Sequence, residues 1–437
     1  MPEYKLTYFD LRGLGEPIRF ILSYMGKEFI DNRIPREDWP QFKGKTPFGK
    51  VPFLEIGDKV LYQSLAILKY LAPQAGLAGN NPEETLEIDM VVGAYGDLAS
   101  ELSRWIRTEN PNDKEKLKET LINETIPFYM SKFETILKNN GGYLANGKLS
   151  WAELYVVGHS SSLSGFLGVD LTNKYPFWKE LTERVHSLPG IKEWVKKRPD
   201  TPFVLLEVTL TYCGLNGPFC GNATIKEIAD SKLKMPKYKL TYFNFPGYAE
   251  PLRFMLSYLG KDWEDHRVSM EEWAQLKEKT PFRKAPILEF DGRVLHQSLA
   301  ILKYLAHDAD LDGKNAEENL QIDMVVGAFG DLASEISRCF RTESPNDKEK
   351  LKETIINETI PFLMSRLEII LKTNKGFLAN GKLSWAEFYV VGFYPSIRGI
   401  LGVDLTEKYP FFKELVERVQ ALPGIKEWVE KRPDTEV

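Results

Sequence analysis

Residues 51–71 read VPFLEIGDKVLYQSLAILKYL. Two short β-prone runs, VPFLEI and KVLYQ, flank Gly57-Asp58, and that arrangement predicts a hairpin. Ser64 follows directly and stands where the helix LAILKYLA needs its cap. Upstream, YKLTYF at 4–9 alternates and is β-prone. Glu16-Pro17 then opens a helix running to about Tyr24, because proline suits a first turn. The stretch up to residue 77 therefore reads β-α-(β)-β-β-α, with the second strand less clearly marked. After NNPEE at 80–84 the periodicity changes. Ile88, Val91, Val92 and Tyr95 fall on one helical face, and ETIPFYMSKFETIL at 124–137 continues the pattern. Ser150-Trp-Ala-Glu153 is a capping box, and Leu188-Pro-Gly opens a short last helix. The second part of the unit is expected to be all-helical.

The unit is then written again. YKLTYF recurs at 238–243, NDKEKLKET (112–120) at 346–354, LANGKLSWAE (144–153) at 378–387, and LPGIKEWV (188–195) at 422–429. Every recurrence has the same offset, so the copies align without a gap. A period this long marks a domain duplication, not a solenoid, whose units are ~20–50 residues. Copy one is 1–201, and copy two starts at Met235, which is followed by proline just as Met1 is. Two joined neighbouring genes would look like this. Residues 202–234 have no counterpart in either copy and are expected to be a linker. Their apolar start also fits an added strand or helix packed on a copy, or translated intergenic sequence. If flexible, the segment spans roughly 30 Å r.m.s.. Asn222-Ala-Thr224 fits a glycosylation sequon, which carries no meaning in a cytosolic chain.

Composition narrows the classes. A chain of 437 residues is expected to hold two to four domains. Apolar residues at 43% and charged residues at 27% are globular values. The net charge of −5 lacks the basic excess of a nucleic-acid binder. Cys213, Cys220 and Cys339 are too few for a disulfide scaffold, and no CxxC is present. The five histidines show no metal spacing. The opening MPEYKLTYFD lacks the basic start and apolar run of a signal peptide, and no run is long enough to span a membrane. A soluble cytoplasmic protein is expected, with no metal, no nucleic acid and no membrane partner.

Several motifs together resemble the glutathione transferase family, specifically its sigma class as found in arthropods. They are YKLTYF, DWP (38–40), PFGKVP (47–52), YQSLAILKYL (62–71), the LSWAE box and the KRPDT ending of each copy. The resemblance covers both copies and omits 202–234. It implies a thioredoxin-like domain at 1–77 and 235–311, each joined to an all-α domain at 82–201 and 316–437. Glutathione is the implied co-substrate. The copies would pair as an intrachain pseudo-dimer or as a homodimer between chains. A short tether is compatible with pairing within the chain, since effective concentrations reach the mM range, and the residues alone leave both arrangements open.

The same resemblance assigns site residues. Tyr8 and Tyr242 match the catalytic tyrosine at the end of the first strand. A tyrosine hydroxyl donates at neutral pH, so placed on the glutathione sulfur it stabilises the thiolate and lowers the thiol pKa. Pro52 and Pro286 match the family's cis-proline, which lets Val51 and Ala285 pair with the cysteinyl part of glutathione. Gln63-Ser64 and Gln297-Ser298 begin the next helix, whose N-terminus suits the γ-glutamyl carboxylate. Trp39, Lys43 and Lys50, with Trp273, Lys277 and Lys284 in copy two, match groups holding the glycine end. Asp97 and Asp331 match an acid that reaches across the family's dimer interface. The electrophile pocket would take Leu14, Arg104, Trp105, Arg107, Tyr155 and His159. Copy two has Tyr248, Arg338, Cys339, Arg341, Tyr389 and Phe393 there. These aromatics also suit an ordinary helical core, and the residues alone leave that open.

Copy two departs from the pattern in FPGYAEP (245–251), where the catalytic loop is expected, with Pro246 opposite Arg12 and Arg283 opposite Gly49. It is expected to be the weaker site. Gly93 and Gly96, beside Asp97, replace the acids linked to metal activation in vertebrate prostaglandin synthases. The implied activity is conjugation of glutathione to hydrophobic electrophiles such as lipid-peroxidation aldehydes, with peroxidase or prostaglandin-isomerase chemistry on the same thiolate. The alternatives are a non-catalytic, crystallin-like or ligand-binding relative, or a chain in which only copy one works.

Overall fold

The computed structural model describes residues 3–201 and 238–435. The expected linker, 202–234, lies outside them. The chain divides into two compact units, and the division does not follow the copies. Lys314–Ala328 groups with the first unit, and Phe329 onward with the second.

Copy one opens with β1 (Tyr4–Phe9), α1 (Glu16–Tyr24), β2 (Phe29–Ile34), the short α2 (Trp39–Lys43), β3 (Phe53–Ile56), β4 (Lys59–Tyr62) and α3 (Ser64–Leu71). The sheet order is β2-β1-β3-β4. β1 runs parallel to β2 and antiparallel to β3, so α1 is the crossover that a parallel pair requires. Leu6, Leu54 and Leu61 bury one sheet face, while Ile18, Ile21 and Leu22 of α1 and Ile67, Leu68 and Leu71 of α3 are also buried. The helical part follows: α4 (Pro82–Arg107), α5 (Pro111–Thr120), α6 (Ile126–Asn139), α7 (Trp151–Leu167), α8 (Leu171–Lys174), α9 (Pro176–Ser187) and α10 (Ile191–Lys197). Between α5 and α6 the backbone makes a π turn, Leu121–Thr125. Pro127 explains it in part, because it lacks the N–H that would continue an α-ladder.

Copy two repeats the order: β5 (Tyr238–Phe243), α11 (Glu250–Tyr258), β6 (Trp263–Val268), α12 (Met270–Leu276), β7 (Ile287–Phe290), β8 (Arg293–His296) and α13 (Ser298–Asp308). Then come α14 (Ala316–Arg341), α15 (Pro345–Thr354), α16 (Ile360–Thr373), α17 (Trp385–Leu401), α18 (Pro410–Gln420) and α19 (Ile425–Lys431). Its sheet order, β6-β5-β7-β8, is the same. Each copy thus combines a thioredoxin-like α+β domain with an all-helical one.

The capping box is present at Ser150. Its Oγ accepts from the Ala152 amide at 3.2 Å, and Glu153 takes the Ser150 amide at 2.7 Å. The expected cap at Ser64 is corrected. Ser64 is the first residue of α3, and Gln63 occupies the cap position without a side-chain cap bond. Ser298 and Gln297 repeat this.

Candidate active site

β1 ends at Phe9 and delivers Tyr8 under the loop that leads into α1. Tyr8 is fully buried. Its hydroxyl accepts from the Leu14 amide at 3.2 Å. The loop is pinned from the helical domain, because the Gly13 amide donates to Ser162 Oγ of α7 at 3.0 Å. It is also held from below, where Arg19 donates to the Leu11 carbonyl at 3.0 Å. Gly13 sits at φ +41, and a Cβ there would lie 2.6 Å from the Tyr8 hydroxyl. Burial pushes the Tyr8 pKa up to about 12, against smaller opposing effects of the Leu14 amide, Arg19 and Arg36. The phenol therefore keeps its proton at neutral pH and is available as a donor. Copy two repeats the frame. Tyr242 accepts from the Tyr248 amide at 3.3 Å, and Gly247 donates to Ser396 Oγ at 2.9 Å. Burial raises the Tyr242 pKa as well.

The turn before β3 brings the second group of residues. The Val51-Pro52 and Ala285-Pro286 bonds are both cis. Pro52 and Pro286 are buried; Val51 and Ala285 are half-exposed. Gln63 and Gln297, just before α3 and α13, hold φ of 68° and 70°. Non-glycine residues adopt such angles at a cost of about 1–3 kcal/mol, and they cluster at ligand clamps. Ser298 Oγ is buried at the first turn of α13 and has no hydrogen-bond partner. An anionic group would supply the missing partner at a helix N-terminus. His296, in the position of Tyr62, is buried beside Phe282, and burial lowers its pKa to about 4. It is neutral at pH 7.

The remaining expected residues are placed as follows. Trp39 packs edge-on against Phe9 at 5.4 Å, and Trp273 against Phe243 at 5.5 Å. Lys43 is exposed, and Lys50 and Lys277 are half-exposed, whereas Lys284 is buried. Asp97 and Asp331 are buried in α4 and α14. Leu14 lies against the tyrosine through its amide. Arg104 is exposed and pairs with Glu101 at 3.6 Å, Arg107 and Arg338 are half-exposed, and Arg341 is exposed. Trp105 and Cys339 are buried. The Cys339 thiol meets the Lys348 carbonyl at 3.7 Å.

Tyr155 and His159 belong to an aromatic core with Tyr95, where the Tyr95 hydroxyl meets His159 Nδ1 at 3.1 Å. Burial takes the His159 pKa down to about 3. Tyr389 and Phe393 pack likewise on Phe329.

Among the described residues, no group of three or more His, Cys, Asp or Glu is placed to hold a metal, and no helix is long and apolar enough to cross a membrane.

Sequence reasoning missed the ionic knot under this loop. Glu16 accepts from Arg19 at 3.1 Å, Arg198 at 2.8 Å and the Trp194 indole at 2.9 Å, and Arg19 also reaches Asp31 at 2.8 Å. The i, i+3 spacing of Glu16 and Arg19 on an otherwise apolar helix was the available signal.

Residues 4–73 and 238–307 match the family described as "Glutathione S-transferase, N-terminal domain", and 96–198 and 330–432 match its C-terminal domain. A glutathione S-transferase of Anopheles gambiae is 41% identical over 203 residues, which is 46% of this chain and 99% of that protein. The chain belongs to the glutathione S-transferase family. It carries both family domains twice. Other relatives include the human hematopoietic prostaglandin D synthase, 37% identical over 46% of this chain and all of that protein. The solved prostaglandin synthase D of Nilaparvata lugens is 50% identical over 46% of this chain and all of that one, with a TM-score of 0.44. Glutathione is the co-substrate of this family.

Proposed function

We propose that the chain is a sigma-class glutathione transferase in which Tyr8 activates the glutathione thiol. The observation that carries this reading is the Tyr8 hydroxyl, which is buried, kept protonated and framed by the Leu14 amide. Donated to the glutathione sulfur, that hydroxyl stabilises the thiolate, and the thiolate attacks an electrophile. Val51 at the cis turn, Gln63 and Ser64 at the start of α3, and Trp39, Lys43 and Lys50 hold the tripeptide, with their counterparts in copy two. Hydrophobic electrophiles such as lipid-peroxidation aldehydes are the proposed partners. Relatives named as prostaglandin D synthases support prostaglandin isomerisation as a side activity. The tandem arrangement supports pairing of the two copies, within the chain or between chains. A cysteine-poor chain suits a cytoplasmic location. Copy two is the weaker site.

Four forms test this: the parent chain, Tyr8→Phe, Tyr242→Phe and the double variant, assayed for glutathione consumption with an aryl halide. Tyr8→Phe is expected to lose about 10²–10³-fold, the scale of losing one oxyanion donor, and Tyr242→Phe little. Full activity in the double variant would sink the tyrosine mechanism. An inactive parent chain that still binds glutathione would favour the non-catalytic alternative.

A further inference from the structure

The two copies differ beside the tyrosine. Position 14 is leucine in copy one, and its counterpart is Tyr248. Tyr248 is buried. Its hydroxyl lies 2.9 Å from Ser337 Oγ and donates to the Ala333 carbonyl at 3.4 Å, so the side chain reaches from the first loop to the middle of α14. Its ring packs on Phe393 of α17 at 5.2 Å. Its amide meanwhile donates to the Tyr242 hydroxyl. One residue therefore touches the tyrosine with its backbone and both facing helices with its side chain.

Copy one has no such strut. The Leu14 amide makes the same bond to Tyr8, but its side chain has no hydroxyl for Ser103, whose Oγ turns back to the Ala99 carbonyl at 3.0 Å. The helical core is altered to match. Where copy one pairs Tyr95 with His159, copy two has Phe329 and Phe393, so the aromatic face under Tyr248 is apolar. A second change lies on the other side of the loop. Phe245 replaces Leu11, and its ring and the Tyr242 hydroxyl both lie within 2.7 Å of the point that a Cβ on Gly247 would occupy. The gap is equally tight in copy one, where Leu11 Cδ1 lies 2.5 Å from the Cβ point of Gly13, so this change alters the flanking side chain and not the width, and the closure is carried by Tyr248.

We propose that Tyr248 closes the second-substrate space of copy two. Copy two then holds glutathione but excludes bulky electrophiles, and copy one admits them. The proposal rests on the transferase reading above, in which the first loop and the helices facing it bound that space. It makes residue 14 and its counterpart the size filter of each site.

Calorimetric titration of the full chain tests it without relying on turnover. The two ligands are glutathione and S-(4-bromobenzyl)glutathione, which needs both subsites. The parent chain is expected to bind two equivalents of glutathione and one of the conjugate. Tyr248→Leu is expected to raise the conjugate to two equivalents, and Tyr248→Phe, which keeps the ring, to leave it at one. Leu14→Tyr is expected to abolish conjugate binding at copy one, and it keeps the test standing if Tyr248→Leu misfolds. Two equivalents of conjugate in the parent chain, or one in a Tyr248→Leu chain that still takes two of glutathione, would overturn the closure. A parent chain that binds no glutathione would overturn the transferase reading first and this proposal with it.

Discussion

At the scale of single residues, the site depends on what is missing at Gly13. The glycine sits at φ +41, and a Cβ there would meet the Tyr8 hydroxyl at 2.6 Å and Leu11 Cδ1 at 2.5 Å. An L side chain is thus disfavoured twice, by backbone angle and by contact. Gly13→Ala would displace the hydroxyl or unseat the amide from Ser162. Misplacing a reacting group by about 1 Å can cost about 10²-fold in rate. With copy two silenced by Tyr242→Phe, Gly13→Ala is expected to lower kcat/KM by about that factor, with most of the loss in kcat. A variant within twofold of its parent would show that the tyrosine does not need this close fit.

At the scale of elements, turns decide how far the sequence can be read. The hairpin expected around Gly57-Asp58 was legible because its chemistry is local, and copy two repeats it between β7 and β8. Asp291 and Gly292 both take positive φ, as a type I′ turn demands. The start of α3 was misread because serine is the commoner cap, and nothing local signals that Gln63 is held in a strained left-handed conformation. Tyr155 and His159 were ambiguous for another reason, since core and pocket aromatics share one helical spacing. The turn before β7 gives a test. Arg283 sits at φ +56, where copy one has Gly49 at φ +63. A left-handed angle costs a non-glycine residue about 1–2 kcal/mol, partly offset here by the Glu278 contact at 3.3 Å. Arg283→Gly is expected to stabilise the chain by up to about 1 kcal/mol, read as a higher urea midpoint at constant slope. A lower midpoint would mean that the guanidinium contacts outweigh the backbone cost.

At the scale of the whole molecule, each copy ties its first helix to its last through a buried carboxylate. Glu250 repeats Glu16, taking bonds from Arg253, Arg432 and Trp428. The two ends of a copy are far apart in sequence, so periodicity could not reveal the link, although Glu16 and Arg198 were both in plain view. In copy one the electrostatics have a measurable consequence. Burial pushes the Glu16 pKa up, but Arg19, Arg198 and the Trp194 N–H outweigh it, and the net pKa is held below the ordinary value. A depressed carboxyl pKa contributes stability that is fully present above the ordinary value, about 4.3 for glutamate. That stability is lost as pH falls through the folded-state value, because the unfolded chain then binds the proton more readily. Breaking a buried pair from one side costs about 3–5 kcal/mol, and glutamine keeps part of the hydrogen bonding, so Glu16→Gln is expected to cost about 3 kcal/mol at pH 7. Urea unfolding of both chains between about pH 7 and about pH 3 checks the sign. The gap between parent and variant should hold at the upper end and shrink below the ordinary glutamate pKa. A gap that widens toward acid would mean that Glu16 is held protonated, and that α1 is tied to α10 by packing rather than by charge.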